Sequence, residues 1–200
     1  MGISIRQFEQ IKERLNGKAS RSAVMPVAQR LRDRGSNQII LGIDPSLRGT
    51  GYGVIRLAEP FPEALAHGTI VCPAAWPPSR CLAKISRMLR QMLCDFQPTV
   101  CVVEGLFFAQ NLKTAILMGA ARGAAMATVA EAELDIYEIA PRKVKQAIVG
   151  YGAAQKLAVA KMVQRMLNLP APPAPDAADA LALALALANS SRGLSALKII

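Results

Sequence analysis

Histidine occurs once in this 200-residue chain, at His67, and cysteine four times, at Cys72, Cys81, Cys94 and Cys101. No two cysteines have CxxC spacing, and all four sit among apolar neighbours. They point to packing cysteines in a reducing compartment rather than to a disulfide or zinc framework. No apolar run approaches the ~20 residues that a membrane span needs, and the first residues lack a secretory pattern. A cytoplasmic protein with no membrane partner is therefore expected. Charged residues are only 19% of the chain, and long internal repeats are absent.

What the chain does have is apolar mass and positive charge. Half the residues are hydrophobic (52%), enough for one domain with a full core plus an appendage. The formal net charge is +10, which suits a polyanionic partner such as nucleic acid. Residues 1–37 hold eight Lys/Arg against three acids, leaving 16 against 11 on the remainder. That basic segment reads as an N-terminal extension, partly helical around Ile3, Phe8, Ile11 and Leu15 or disordered. It could be a tail, a DNA-binding arm, or the product of a start codon assigned too early. The organised part is 38–190, with 191–200 a C-terminal tail.

Within it, Ile39–Asp44 is an apolar run ending in an acid, as expected of a central strand buried on both faces. Thr50–Leu57 and Ala64–Val71 are two more strand-like runs. Ser79 is a candidate N-cap for a helix carrying Leu82, Ile85, Leu89, Met92, Leu93 and Phe96 at helical spacing. Thr99–Glu104 is another apolar strand ending in an acid. Asn111–Glu133 is a long Ala-rich helix, Ile136–Ile139 a fifth strand, and Lys143–Val149 and Gln155–Leu167 are helical. A proline cluster (Pro170, Pro172, Pro173, Pro175) delivers a last helix from Asp176 through the Ala/Leu-rich stretch Ala177–Asn189, read as buried. The order predicts an α/β domain with a mixed five-stranded sheet, an antiparallel meander followed by parallel strands, flanked by helices.

Asp44 and Glu104 each close a strand, and ligands of open α/β sheets gather at such carboxyl ends. Asp176 and Asp179 are three apart at a helix start, so they project to one side. Capping explains a lone Asp there, but less readily a second one turn on, followed by wholly apolar sequence. Four converging carboxylates would repel one another unless a cation held them together. Their oxygens suit hard ions such as Mg²⁺ or Mn²⁺, and two such ions could assist an in-line displacement at phosphorus.

The same residues resemble a known family. Ile40-Leu-Gly-Ile-Asp-Pro-Ser-Leu-Arg-Gly-Thr-Gly-Tyr-Gly-Val54 is similar to the opening strand and turn of the RuvC Holliday junction resolvases, in the RNase H-like superfamily. Val102-Val-Glu-Gly-Leu-Phe-Phe-Ala-Gln-Asn111, Gly119-Ala-Ala-Arg-Gly123, the stretch from Tyr137 to Lys156, and Pro175-Asp-Ala-Ala-Asp-Ala-Leu181 resemble later blocks of that family, in order. The first block alone would not suffice, since GIDxxxxxTGxG also opens the phosphate loop of actin-like ATPases. The resemblance implies an RNase H-like fold and a homodimer that nicks two opposed strands of a four-way DNA junction. It implies Mg²⁺ held by Asp44, Glu104, Asp176 and Asp179, two ions per site, with Mn²⁺ able to substitute. It also implies an aromatic at Phe107 that stacks on an unpaired base, basic contacts to DNA from Lys145, Lys156 and Arg142, and a RuvA–RuvB branch-migration complex as a further partner.

Some positions depart from the family. Ser46 and Leu47 replace a usual Gly and a small polar residue, and a turn requiring positive φ at Ser46 would be strained by about 1 kcal/mol. Gly105 stands where Gln is common. Gly51 and Gly53 interrupt a strand, marking either a close approach beside Asp44 or a bulge. Gly119 and Gly123 share a helix face that permits close contact with another helix, in the dimer or internally. His67 and Trp76 read as structural. Two rival classes remain, a non-catalytic nucleic-acid-binding module of the same fold and an actin-like ATPase fragment. The second needs another lobe for which 200 residues leave little room.

Overall fold

The computed structural model describes residues 38–105, 111–190 and 198–200. Its strands are β1 (Ile39–Asp44), β2 (Gly49–Arg56), β3 (Glu63–Val71), β4 (Val100–Glu104), β5 (Ile136–Ile139) and β6 (Lys198–Ile199). Its helices are α1 (Pro78–Phe96), α2 (Leu112–Ala130), α3 (Pro141–Val149), α4 (Lys156–Met166) and α5 (Pro175–Ser190). The sheet order is β3-β2-β1-β4-β5-β6. β1, β2 and β3 form the antiparallel meander, and β4 and β5 add parallel to β1. The mixed five-stranded sheet is as expected, with one correction. Residues 198–199 are not tail but a sixth edge strand, antiparallel to β5; a two-residue strand carries no readable periodicity.

Strand alternation builds two cores. In β1 and β4, Ile40, Val100 and Val102 face the layer of α3, α4 and α5, while Leu41, Ile43, Cys101 and Val103 face that of α1 and α2. Continuing the alternation directs Asp44 and Glu104 to the α5 side. Helix α5 is buried almost all round, because the sheet lies beneath it and α3 and α4 flank it. It sits unusually close to the strands. A Cβ at Gly42 would strike the Ala180 carbonyl, one at Gly51 the Asp176 carbonyl, and one at Gly53 would lie 2.7 Å from a Leu181 methyl. Gly42 pairs with Gly53 across the strands and Gly51 pairs with Asp44, so the glycines form a bare floor for the helix. The interruptions in β2 thus mark a close approach, that of α5 itself; the bulge falls next door, between Val54 and Ile55.

Helix starts follow proline chemistry more than expected. Pro78 and Pro141 open α1 and α3, their preset φ and missing N–H suiting the first turn. Ser79 is therefore inside α1 rather than its cap. Asn111 caps α2 by accepting from the Thr114 amide. Cys72, Cys81 and Cys101 are buried packing residues, whereas Cys94 is exposed on α1. His67 is exposed on β3, and half-buried Trp76 packs against the second core with the Arg80 guanidinium 4.0 Å above its ring. No helix among the described residues is long and apolar enough to cross a membrane.

Candidate active site

The acidic residues gather at one end of the sheet because three elements end or begin there. β1 terminates in Asp44, the parallel β4 terminates beside it in Glu104, and α5 starts over Gly49 and Gly51 with Asp176. The Asp176 carboxylate lies 3.0 Å from where a Gly49 side chain would begin. One turn on, Asp179 accepts a 2.9 Å bond from the Lys156 ammonium at the start of α4.

These groups feel one another. Burial first, then the charge of Asp179, then that of Asp176, push the Asp44 carboxyl up to about 6. Burial, then the charges of Asp44 and Asp179, push Glu104 up to about 7. Direct contact between the two favours Asp44 as the anion and Glu104 as the protonated partner. Lys156 partly offsets both, and the hydrogen bond and charge of Asp179, aided by Asp44 and Glu104, hold its ammonium above the ordinary lysine value. Among the described residues, no three of these side chains form a ready-made cluster for an ion. Asp44 and Glu104 touch, while the bond to Lys156 holds the Asp179 carboxylate to one side. The donor set is all-oxygen, polyanionic and partly desolvated. It fits a hard divalent cation, which would relieve the repulsion.

The turn after Asp44 is rigid. The Thr50 hydroxyl donates to the Ser46 carbonyl at 2.5 Å and accepts from the Ser46 amide at 3.3 Å. Arg48 donates to the carbonyls of Pro73 and Trp76 and to Cys81 Sγ. Among the described residues the positive-φ non-glycine positions are Gln97, Glu133 and Asn168, so Ser46 carries no such strain. Leu47 is buried in the second core, which accounts for an apolar residue there.

The predicted basic residues divide. Lys156 is drawn onto Asp179. Lys145 is half-buried and Arg142 exposed on α3, and neither makes a hydrogen bond or ion pair to the acids among the described residues. Arg142 instead packs across Gly152. Phe107 lies outside the described residues. The sequence reading missed Thr50, whose hydroxyl could have been suspected from its place beside the turn.

A mixed sheet of this order, with a C-terminal helix bringing acids to the carboxyl ends of its central strands, defines an RNase H-like protein with an acidic centre. Yeast mitochondrial Holliday junction resolvase Ydc2 shares that fold at a TM-score of 0.59 and 13% identity, over 82% of this chain and 84% of that one. The family described as Crossover junction endodeoxyribonuclease RuvC matches residues 40–187. The Vibrio parahaemolyticus protein of that name is 45% identical over 159 residues, 80% of this chain and 91% of its own. The one from Syntrophomonas wolfei is 44% identical over 154 residues, 76% and 90%. T. thermophilus RuvC in complex with Holliday junction substrate superposes with a TM-score of 0.76 at 32% identity, over 82% of this chain and 99% of that one. The chain belongs to the RuvC crossover junction endodeoxyribonuclease family.

Proposed function

We propose that this chain is a metal-dependent endonuclease that resolves four-way DNA junctions by paired symmetric nicks. The observation that carries the reading is the set of four acids brought by β1, β4 and α5 to one end of the sheet, beside Lys156, in a chain of net charge +10. The related T. thermophilus RuvC, in complex with Holliday junction substrate, supports the choice of DNA.

Asp44, Glu104, Asp176 and Asp179 would hold Mg²⁺, two ions per site, with Mn²⁺ able to substitute. Bound there, the ions supply an activated water and neutralise charge at the phosphate, leaving 5′-phosphate products. The chain's own groups do the rest. Burial of Asp44 and Glu104 keeps their negative charge poorly solvated, so cation binding is strongly favoured. Lys156, with its side chain three-quarters exposed, can hold a non-bridging phosphate oxygen beside Asp179. Lys145 and Arg142 extend the basic contacts along α3. Phe107 retains its proposed role as a base-stacking contact, at ~1–3 kcal/mol.

Two opposed cuts call for two copies. On α2, Leu112 and Ile116 are 76% and 61% exposed, and a Cβ at Gly119 or Gly123 would meet nothing within 4 Å. This open, small-residue face suits close packing of α2 from a second copy, giving a homodimer. Residues 38–190 form the nuclease domain, residues 1–37 are a basic extension to it, the setting is the cytoplasm, and a RuvA–RuvB branch-migration complex is a partner. The test compares a mobile four-way junction, plain duplex and single strand with Mg²⁺. Symmetric nicks on the junction alone are expected; equal cutting of duplex, or none of any substrate, overturns the reading.

A further inference from the structure

Helix α2 has two charged residues, Lys113 and Arg122. Lys113 is exposed in the first turn, but Arg122 is only 8% exposed, surrounded by an Ala-, Gly- and Met-rich helix. A guanidinium that far from water is strongly disfavoured unless its donors are matched. Arg122 finds its match at one place. Its Nη1 donates to the backbone carbonyl of Glu104, and its Nη2 donates to the Glu138 carboxylate. Glu138 stands on β5 opposite Val103, the residue before Glu104. The two acceptors are thus neighbours on adjacent strands, spaced for a planar fork.

The place matters because β4 is leaving the sheet there. Its parallel pairing with β1 ends at Ile43 and Val103, one residue short of Glu104. On the other side Glu104 still pairs with Ile139, and the Gly105 amide donates to the Ile139 carbonyl. The peptide that carries the Glu104 carboxylate is therefore held from β5 and from α2. We infer that Arg122 is a positioning residue: its fork fixes the Glu104 peptide so that the carboxylate is presented toward Asp44, and cation affinity depends on that hold. The inference rests on the reading of Glu104 as a metal ligand. Arg122 bonds to the Glu104 backbone and to Glu138, and to none of the four acid side chains of the site.

The test uses the full chain and Mn²⁺ alone as probe. Arg122→Met removes both hydrogen bonds while keeping an apolar stem of similar length. Arg122→Lys keeps the charge but offers a point donor that cannot span both acceptors. Mn²⁺ binding is followed by the electron paramagnetic resonance signal of the free ion, alongside thermal unfolding of the metal-free protein. Both variants should bind Mn²⁺ at least about 10-fold more weakly than the parent, with the lysine variant recovering thermal stability but not affinity. A lysine or methionine variant with lowered stability and parental Mn²⁺ affinity overturns the proposal, because the fork then serves folding alone. If Arg122→Met does not fold, Arg122→Lys decides by the same readout. A parent that binds Mn²⁺ without nicking junctions would sink the nuclease reading and leave this test standing.

Discussion

Replacing Gly51 with alanine should unseat Asp176, and the structure sets the scale. The new methyl would overlap the Asp176 carbonyl oxygen, with the carbonyl carbon at 2.6 Å and Cβ at 3.2 Å. These are backbone or near-backbone atoms of a helix packed on the sheet and flanked by α3 and α4, so no rotamer change relieves the clash. Overpacking of this kind costs about 1–3 kcal/mol, set against roughly 0.5–1 kcal/mol gained by removing a mid-strand glycine. The net loss of about 0–2.5 kcal/mol lowers Tm by up to roughly 10 °C for a domain of this size. Gly49→Ala makes the contrast. Its methyl would crowd the Asp176 carboxylate tip, at 3.0 Å, which can turn away, and would meet the Thr69 methyl at an ordinary 3.5 Å. That variant should melt within about 2 °C of the parent, yet lose cleavage because the carboxylate is displaced. Calorimetry and single-turnover cleavage of a four-way junction measure both. Gly51→Ala that cleaves at the parental rate would refute the close approach of α5, whatever its Tm.

Two further outcomes follow from the electrostatics. Asp44 and Glu104 titrate near 6 and 7, above their ordinary 3.8 and 4.5, so the folded metal-free chain binds more protons than the unfolded one across that window. Its stability should fall as pH rises from about 4 to 7. Mg²⁺ should raise Tm more at pH 8 than at pH 5, and an equal gain at both in thermal melts would contradict this. Lys156→Met loses an exposed pair that contributes about 0–1 kcal/mol, so Tm should barely move. Junction cleavage should drop about 10²-fold or more if Lys156 holds the phosphate; a variant cleaving at the parental rate rules that role out.

Sequence pattern located the strands well where burial on both faces forces an apolar run: β1 falls at the expected residues, and β4 starts one residue later than expected. It placed Asp44 and Glu104 at strand ends for the same reason. It was weaker where local rules compete. At Pro77-Pro78-Ser79, serine capping lost to proline at the first helical position. The glycines of β2 gave a local signal with two meanings, and only the contact with α5, far along the chain, separates them. Arg122 looked like one letter of a motif, because its acceptors lie on two strands on either side of it in sequence. The convergence of Asp176 with Asp44 is likewise long-range, set by the bare glycine floor and by the prolines that deliver α5.

The most direct test of the acidic centre replaces Asp44, Glu104, Asp176 and Asp179 one at a time by the matching amide. Each variant is assayed for Mg²⁺-dependent nicking of a four-way junction and, with EDTA, for junction binding by gel shift. Every variant should lose nicking by about 10³-fold or more while binding stays within a few-fold of the parent. Parental nicking by any one of the four would contradict the assignment.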